Sequence, residues 1–477
     1  VVAGAAVAGL GTAVGFVHTL RMGGDMSGDM SAAGGGPGTA RHLLHGMPLA
    51  SMPEMFIAAA GLLLVLAASV RAGTQRPTAR PLTGAARAAA AAAVTAALTI
   101  DISKTSTLGF VIPGMRAEYG LAPRTASLLA VCGLSGTAAG ALLFGLLADR
   151  LGRRRTYLLT TLGFTVTAMC GAMPTFTGNL LMCATMGLAV GGLAPLLITL
   201  LGDILGQGVR GPLTAALSVL AAAIGYLVAA STALWLEPAL GWRILWLIGV
   251  PTGLLLVLLL PLVPELRASH VLGSGPGAEA AGARSARARR VLSPPVQYGY
   301  ASLVGIVTFG LLTWLPTLAR AGGVAPGTAN TLLTVAALAM VPCAGLLALG
   351  YLRFGSVALS AGLALSTAVP LFALTASGTT ARVGWLCAGA LVAALFALNT
   401  MAAVFLPIAA DLADPARRGS TTGRVSFFNR LGGLTGPVLL ASLISSQARV
   451  FATVAALATA CGLYSIFIMH RYRATFG

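Results

Sequence analysis

Lysine is all but missing from this chain: Lys104 stands alone, and every other basic residue is arginine. Charge of any kind is scarce, at 9% of 477 residues, which excludes the solvated surface of an ordinary soluble domain. Cysteine is scarce too. Cys132, Cys170, Cys183, Cys343, Cys387 and Cys461 lie in or beside apolar stretches with no C-x-x-C spacing. They read as small buried hydrophobes, not as a disulfide framework. No G-x-S-x-G, H-E-x-x-H or phosphate-binding glycine loop occurs, so nothing suggests an enzyme, and no cofactor is implied.

What is abundant is apolar length. Hydrophobic residues make up 57% of the chain, and mean hydropathy is +0.89. That is the profile of an all-α polytopic membrane protein, with the bilayer as its partner. The formal net charge of +18 does not indicate nucleic acid, because the arginines fall mainly in short loops between apolar spans. Two spans are expected near 1–20 and 55–70, separated by a polar, flexible stretch. Twelve more follow near 88–117, 125–148, 155–174, 178–201, 212–236, 241–263, 296–320, 327–350, 356–376, 382–409, 421–445 and 450–470. Residues 265–295, rich in Gly, Ala, Ser and Arg, read as a basic cytoplasmic linker. The domains are thus 1–87, 88–264, 265–295 and 296–477: an extension with two helices, a six-helix lobe, a linker and a second six-helix lobe. Arg71, Arg76, Arg80 and Arg87 place their loop in the cytoplasm by the positive-inside rule. Both termini of this inner-membrane protein are then cytoplasmic, and residues 21–52 lie outside.

The stretch 99–115 carries the chemistry. Asp101 and Lys104 lie about halfway along a span and share one helix face. An ionised side chain at mid-bilayer costs roughly 2.5–3.5 kcal/mol, so such charges pair or face a wet interior. Two readings stand: mutual neutralisation, or a substrate and coupling site. A lone lysine suits the second, because an ammonium can lose its proton where a guanidinium does not.

Gly145-Leu-Leu-Ala-Asp149-Arg150-Leu-Gly152-Arg153-Arg154-Arg155 joins two spans. Gly145 and Gly152 permit close packing and a tight turn. Asp149 sits at a helix end, where it meets nearby arginines or another helix's N-terminal dipole. Asp203…Arg210-Gly211 in the first half recurs as Asp411…Arg418-Gly419 in the second. A repeat at about 200 residues signals two related lobes.

These motifs resemble the major facilitator superfamily over roughly residues 88–470. The loop at 145–155 is similar to its G-x-L-A-D-R-x-G-R-R/K-x signature. Gly191-Gly192-Leu-Ala-Pro195, Gly241-Trp242-Arg243, Pro264-Glu265-Leu-Arg267, Gly310-Leu-Leu-Thr-Trp314-Leu-Pro316 and Asn429-Arg430-Leu-Gly432-Gly433 resemble the sugar-porter and aromatic-acid:proton symporter branches. The resemblance implies a twelve-helix fold of six plus six, with the two N-terminal helices added. It also implies a conformational latch at Gly145, Asp149, Arg150, Gly152, Arg153, Asp203, Arg210, Asp411 and Arg418. Two departures stand out. Against the branch's L-D-G-F-D pattern, Asp101 keeps the first acid and Lys104 replaces the second. The second-lobe copy of the signature loop, at Gly345–Ser356, has lost its acid.

Arg430 lies well inside its span. It is read either as a clamp to the Asp411 or Asp414 region or as a bidentate grip on a substrate carboxylate. Asn399, Tyr298, Tyr300, Gln297 and Trp314 are read singly as packing residues and collectively as part of a cavity lining. Six of the fourteen methionines and three of the five histidines fall between residues 18 and 55. His42, His45, Met47 and Met52 there suit a soft metal such as Cu(I). The expected function is proton-coupled transport of a small organic anion by alternating access. The rivals are a soft-metal transporter, a drug exporter and a non-transporting membrane sensor.

Overall fold

The computed structural model describes residues 1–30, 44, 46–47, 51–71, 84–205, 210–265, 293–321, 326–354, 356–376, 394, 397–398, 400–401 and 418–476. Every regular element among them is helical. An N-terminal pair, α1 (Val2–Met30) and α2 (Pro53–Arg71), precedes the first lobe. That lobe runs through α3 (Gly84–Tyr119), α4 (Pro123–Leu151), α5 (Arg153–Thr167), α6 (Phe176–Gly191), α7 (Leu193–Ile204), α8 (Arg210–Trp235), α9 (Glu237–Leu240), α10 (Ile244–Leu247) and α11 (Gly249–Leu258). The second lobe contains α12 (Pro294–Ala321), α13 (Pro326–Phe354), α14 (Ser356–Ala376), α15 (Arg418–Ala441) and α16 (Gln447–Phe476).

Nine helices among the described residues are long and apolar enough to cross a membrane. Of the remaining expected spans, 382–409 lies mostly outside the described residues, 356–376 and 421–445 are the helices α14 and α15, and 155–174 and 241–263 differ for physical reasons. The span at 155–174 is α5 followed by a 3-10 turn at Ala168–Ala172, and α5 is rich in threonine. Its hydroxyls are satisfied within the helix, as in Thr160 Oγ1 to Thr156 O (3.0 Å) and Thr165 Oγ1 to Thr161 O (2.6 Å). Buried on most sides, α5 needs no lipid-facing apolarity. The span at 178–201 is one of the nine, made of α6 and α7 joined at Gly192, and that at 241–263 is broken into α10, α11 and a 3-10 turn. The polar stretch expected after residue 20 is a continuation of α1 to Met30.

Two-helix contacts build the lobes, and small residues let backbones approach. A Cβ on Gly136 would strike the Ala184 carbonyl of α6, and one on Gly305 would strike the Asn429 carbonyl of α15. The N-terminal pair closes in the same way, Gly61 of α2 lying against Ala8 and Gly4 of α1. This pair packs on α5 and α11 of the first lobe. Between the lobes, α4 meets α15, α8 meets α13, and α3 meets α12. The chain direction puts the 149–153 turn on one face, here the signature face. The α3–α4 turn, α9 and the starts of α10 and α13 lie on the far face.

Candidate functional site

Asp101 lies midway along α3, 17 residues from Gly84 (101 − 84) and 18 from Tyr119 (119 − 101). Arg430 lies midway along α15, 12 residues from Arg418 (430 − 418) and 11 from Ala441 (441 − 430). Both are buried, at 3% and 9% exposure. They attract one another across the lobe boundary. Asp101 Oδ1 and Arg430 Nε have no hydrogen-bond partner, so polar capacity remains at the centre of the molecule. The Arg430 guanidinium also lies over the Phe309 ring of α12, 4.7 Å from its centroid. A cation on an aromatic face in a desolvated setting is worth on the order of 2 kcal/mol.

Lys104 shares the helix face of Asp101 but reaches into its own lobe. Its Nζ donates to the Leu245 carbonyl of α10 at 3.3 Å. A Cβ on Gly249 would come within 3.4 Å of Lys104 Cε and of Phe164, so the lysine stem is packed against α5 and α11. The Asp411 region proposed as a clamp for Arg430 lies outside the described residues, as does Asn399. Trp314 donates from Nε1 to the Pro437 carbonyl at 2.8 Å and is fully buried. Its polar atom therefore ties α12 to α15. Tyr298 stacks on Phe428 at 4.3 Å, near the start of α12. It precedes Phe309 by 11 residues (309 − 298), about 16 Å of helix rise, which sets it towards the signature face.

The signature loop joins the lobes. Asp149 accepts from Gly419 N (3.1 Å) and Ser420 N (2.8 Å), the first amides of α15. Of the two partners expected for Asp149, the helix N-terminus is the one it meets. A Cβ on Gly145 would meet Gly419 O at 2.9 Å, so glycine admits this crossing. Gly152 has φ +90°, the left-handed conformation that turns α4 into α5. Arg153 pairs with Asp203, both nearly fully buried, tying the start of α5 to the end of α7. Arg150 is exposed. Arg210 opens α8 and Arg418 opens α15.

Of the methionine and histidine cluster, the described methionines serve the core. Met47 and Met52 are packed into the apolar core with Leu44 and Met173, their thioethers used as filling. His42 and His45 lie outside the described residues. Among the described residues no three His, Cys, Asp or Glu side chains converge.

Sequence reasoning passed over the far face. There Glu118, one residue before the end of α3, accepts Trp242 Nε1 (2.7 Å) and, through Oε1, Arg243 Nη2 (2.7 Å). Gly114 gives Trp242 its seat against α3. Gly241-Trp242-Arg243 was visible as a motif, but its partner acid was not. Glu237 and Arg320 also pair across the lobes, and no motif flagged them.

Residues 93–404 match the sequence model of the Major Facilitator Superfamily. The Bacillus subtilis protein named for niacin/nicotinamide transport is 24% identical over 373 residues, 76% of this chain and 91% of its own. The gallate transporter of Pseudomonas putida is 28% identical over 48% of this chain and 57% of its own. Among solved structures, the partially occluded, inward-open xylose transporter of Escherichia coli superposes with a TM-score of 0.61 at 15% identity. That match covers 79% of this chain and 98% of the other.

Proposed function

This chain belongs to the major facilitator superfamily, membrane transporters of small solutes, and on that footing we propose that it moves a small organic anion together with protons through the Asp101–Arg430 site. One observation carries the reading: a carboxylate and a guanidinium, both buried mid-helix and drawn together from opposite lobes, each keep an unpartnered polar atom. A charged pair left half satisfied in low dielectric is costly unless a ligand or proton completes it.

With Asp101 ionised, Arg430 is neutralised and an anion gains little by entering. Protonation of Asp101 removes that competitor, and the planar guanidinium is then open to a bidentate carboxylate. Proton and anion therefore enter together. Lys104 adds a second positive charge one turn away and holds α3 against α10 through Leu245. Phe309 supplies an aromatic face beside the guanidinium, which suits a flat, ring-bearing acid. The relatives named for niacin and gallate support a cargo of this kind. Alternating access follows from the latch: Asp149 must leave the first amides of α15 for the signature face to open. The positive-inside pattern makes that face cytoplasmic.

The test is uptake of radiolabelled benzoate and nicotinate into proteoliposomes under an imposed proton gradient. Asp101→Asn is expected to abolish gradient-driven accumulation, and Lys104→Ala to weaken it. Undiminished accumulation in both variants would refute the coupling mechanism.

A further inference from the structure

A second junction between the lobes lies at the far face, and the N-terminal extension reaches it. Arg320, at the end of α12, donates to Glu237 from both Nη1 (3.2 Å) and Nη2 (2.9 Å). Arg320 Nη2 also reaches Asn330 Oδ1 of α13 (3.1 Å), and Asn330 donates to the Ala233 carbonyl of α8 (2.9 Å). Both charged side chains are 15% exposed, so the pair is largely shielded from water. Asn330 Nδ2 also lies 3.5 Å from Glu237 Oε2, so parting the lobes here strands the acid from all three donors.

Glu237 opens α9, and Leu240 closes it. α9 follows α8 after the single residue Leu236, whose N donates to Thr232 O (2.9 Å) and whose carbonyl accepts Leu240 N (2.9 Å), so its near end is held by α8, while its last carbonyls have no further turn to bond. Gly241, at φ +84°, then turns the chain away. What fastens the far end of α9 is the extension: Leu44 N donates to the Leu240 carbonyl at 3.0 Å. Two residues on, Gly46 lies against the loop before α6. A Cβ there would meet Met173 O at 2.8 Å and Pro174 N at 2.9 Å. Met47 and Met52 then bury their side chains in the core. The extension is thus anchored to two far-face loops of the first lobe, one of which carries the gate acid.

We propose that the N-terminal extension sets how readily the far face opens, by holding α9 so that Glu237 meets Arg320 and Asn330. The anchors at Leu44, Gly46, Met47 and Met52 keep Glu237 in place when the lobes separate. The gate then recloses without first rebuilding a one-turn helix. Weakening the anchor frays α9, disperses the acid and favours the open far face.

The experiment needs no cargo, so its outcome is independent of the transport reading. The full chain in nanodiscs, in a cysteine-depleted background, carries nitroxides at the exposed positions 122 and 328, one on each lobe at the far face. Electron–electron distance measurements then report the separated population. Glu237→Gln is expected to raise it about fivefold, the effect of roughly 1 kcal/mol. Gly46→Ala and Leu44→Pro, which lift the strap and remove the donor to Leu240, are expected to do the same. Combining Gly46→Ala with Glu237→Gln is expected to add nothing, since both act through one junction. Native distances in both strap variants, or additive shifts in the double variant, overturn the proposal.

Discussion

At the scale of single residues, burial decides which polar groups act and which merely fasten. Trp314 and Arg430 are both polar side chains in second-lobe spans, and their positions in the sequence do not separate them. Only the fold does so: the indole N–H is consumed by the Pro437 carbonyl, while Arg430 Nε is left over. Trp314→Phe should therefore cost stability more than transport. Losing the donor to a buried carbonyl is expected to cost about 1–3 kcal/mol, read as a lower denaturation midpoint with KM for a transported acid unchanged. A large KM change with unaltered stability would return Trp314 to the cargo site. Lys104 was conspicuous in the sequence because it is alone. Its bond to Leu245 shows that this isolated lysine is held by its own lobe.

At the scale of elements, the signature loop shows how a side chain on one helix completes another. The first amides of any helix lack intrahelical partners, and Asp149 supplies two of them on α15. Asp149→Ala is expected to raise hydrogen exchange at Gly419 and Ser420 about tenfold, in keeping with the usual 0.5–2 kcal/mol of an N-terminal cap. Unchanged protection there would mean that the contact carries no stabilisation. The loop was legible in the sequence because its glycines, acid and arginines keep a fixed spacing. Its partner was not, because a backbone amide has no signature of its own. Span boundaries divide along the same line. Long apolar runs such as α4 and α8 stood where hydropathy placed them, whereas α10 and α11 formed a broken helix in a run that hydropathy alone could not divide.

At the scale of the whole molecule, both faces of the lobe boundary are fastened at once, by Asp149 on α15 at one end and by Glu237 with Arg320 at the other. Glycine lets the lobes meet this closely. A Cβ on Gly423 would strike the Ala141 carbonyl of α4 at 2.5 Å. Gly423→Val is therefore expected to wedge the signature face apart and lower transport by about tenfold, an overpacking cost of 1–3 kcal/mol expressed as a population shift. Circular dichroism should remain that of the native protein; lost helicity would instead place the damage inside a lobe. The sequence by itself determined the membrane class, the two-lobed repeat, the added helical pair and the signature turn. Each of these is written in local composition, periodicity or spacing. Only the tertiary structure decided that Asp101 lies within electrostatic reach of Arg430, that Glu237 meets Arg320, and that two methionines of a metal-like cluster are core filling. Periodicity says which residues share a helix face but not which distant helix that face will meet, and charges so far apart in the chain are paired by packing alone.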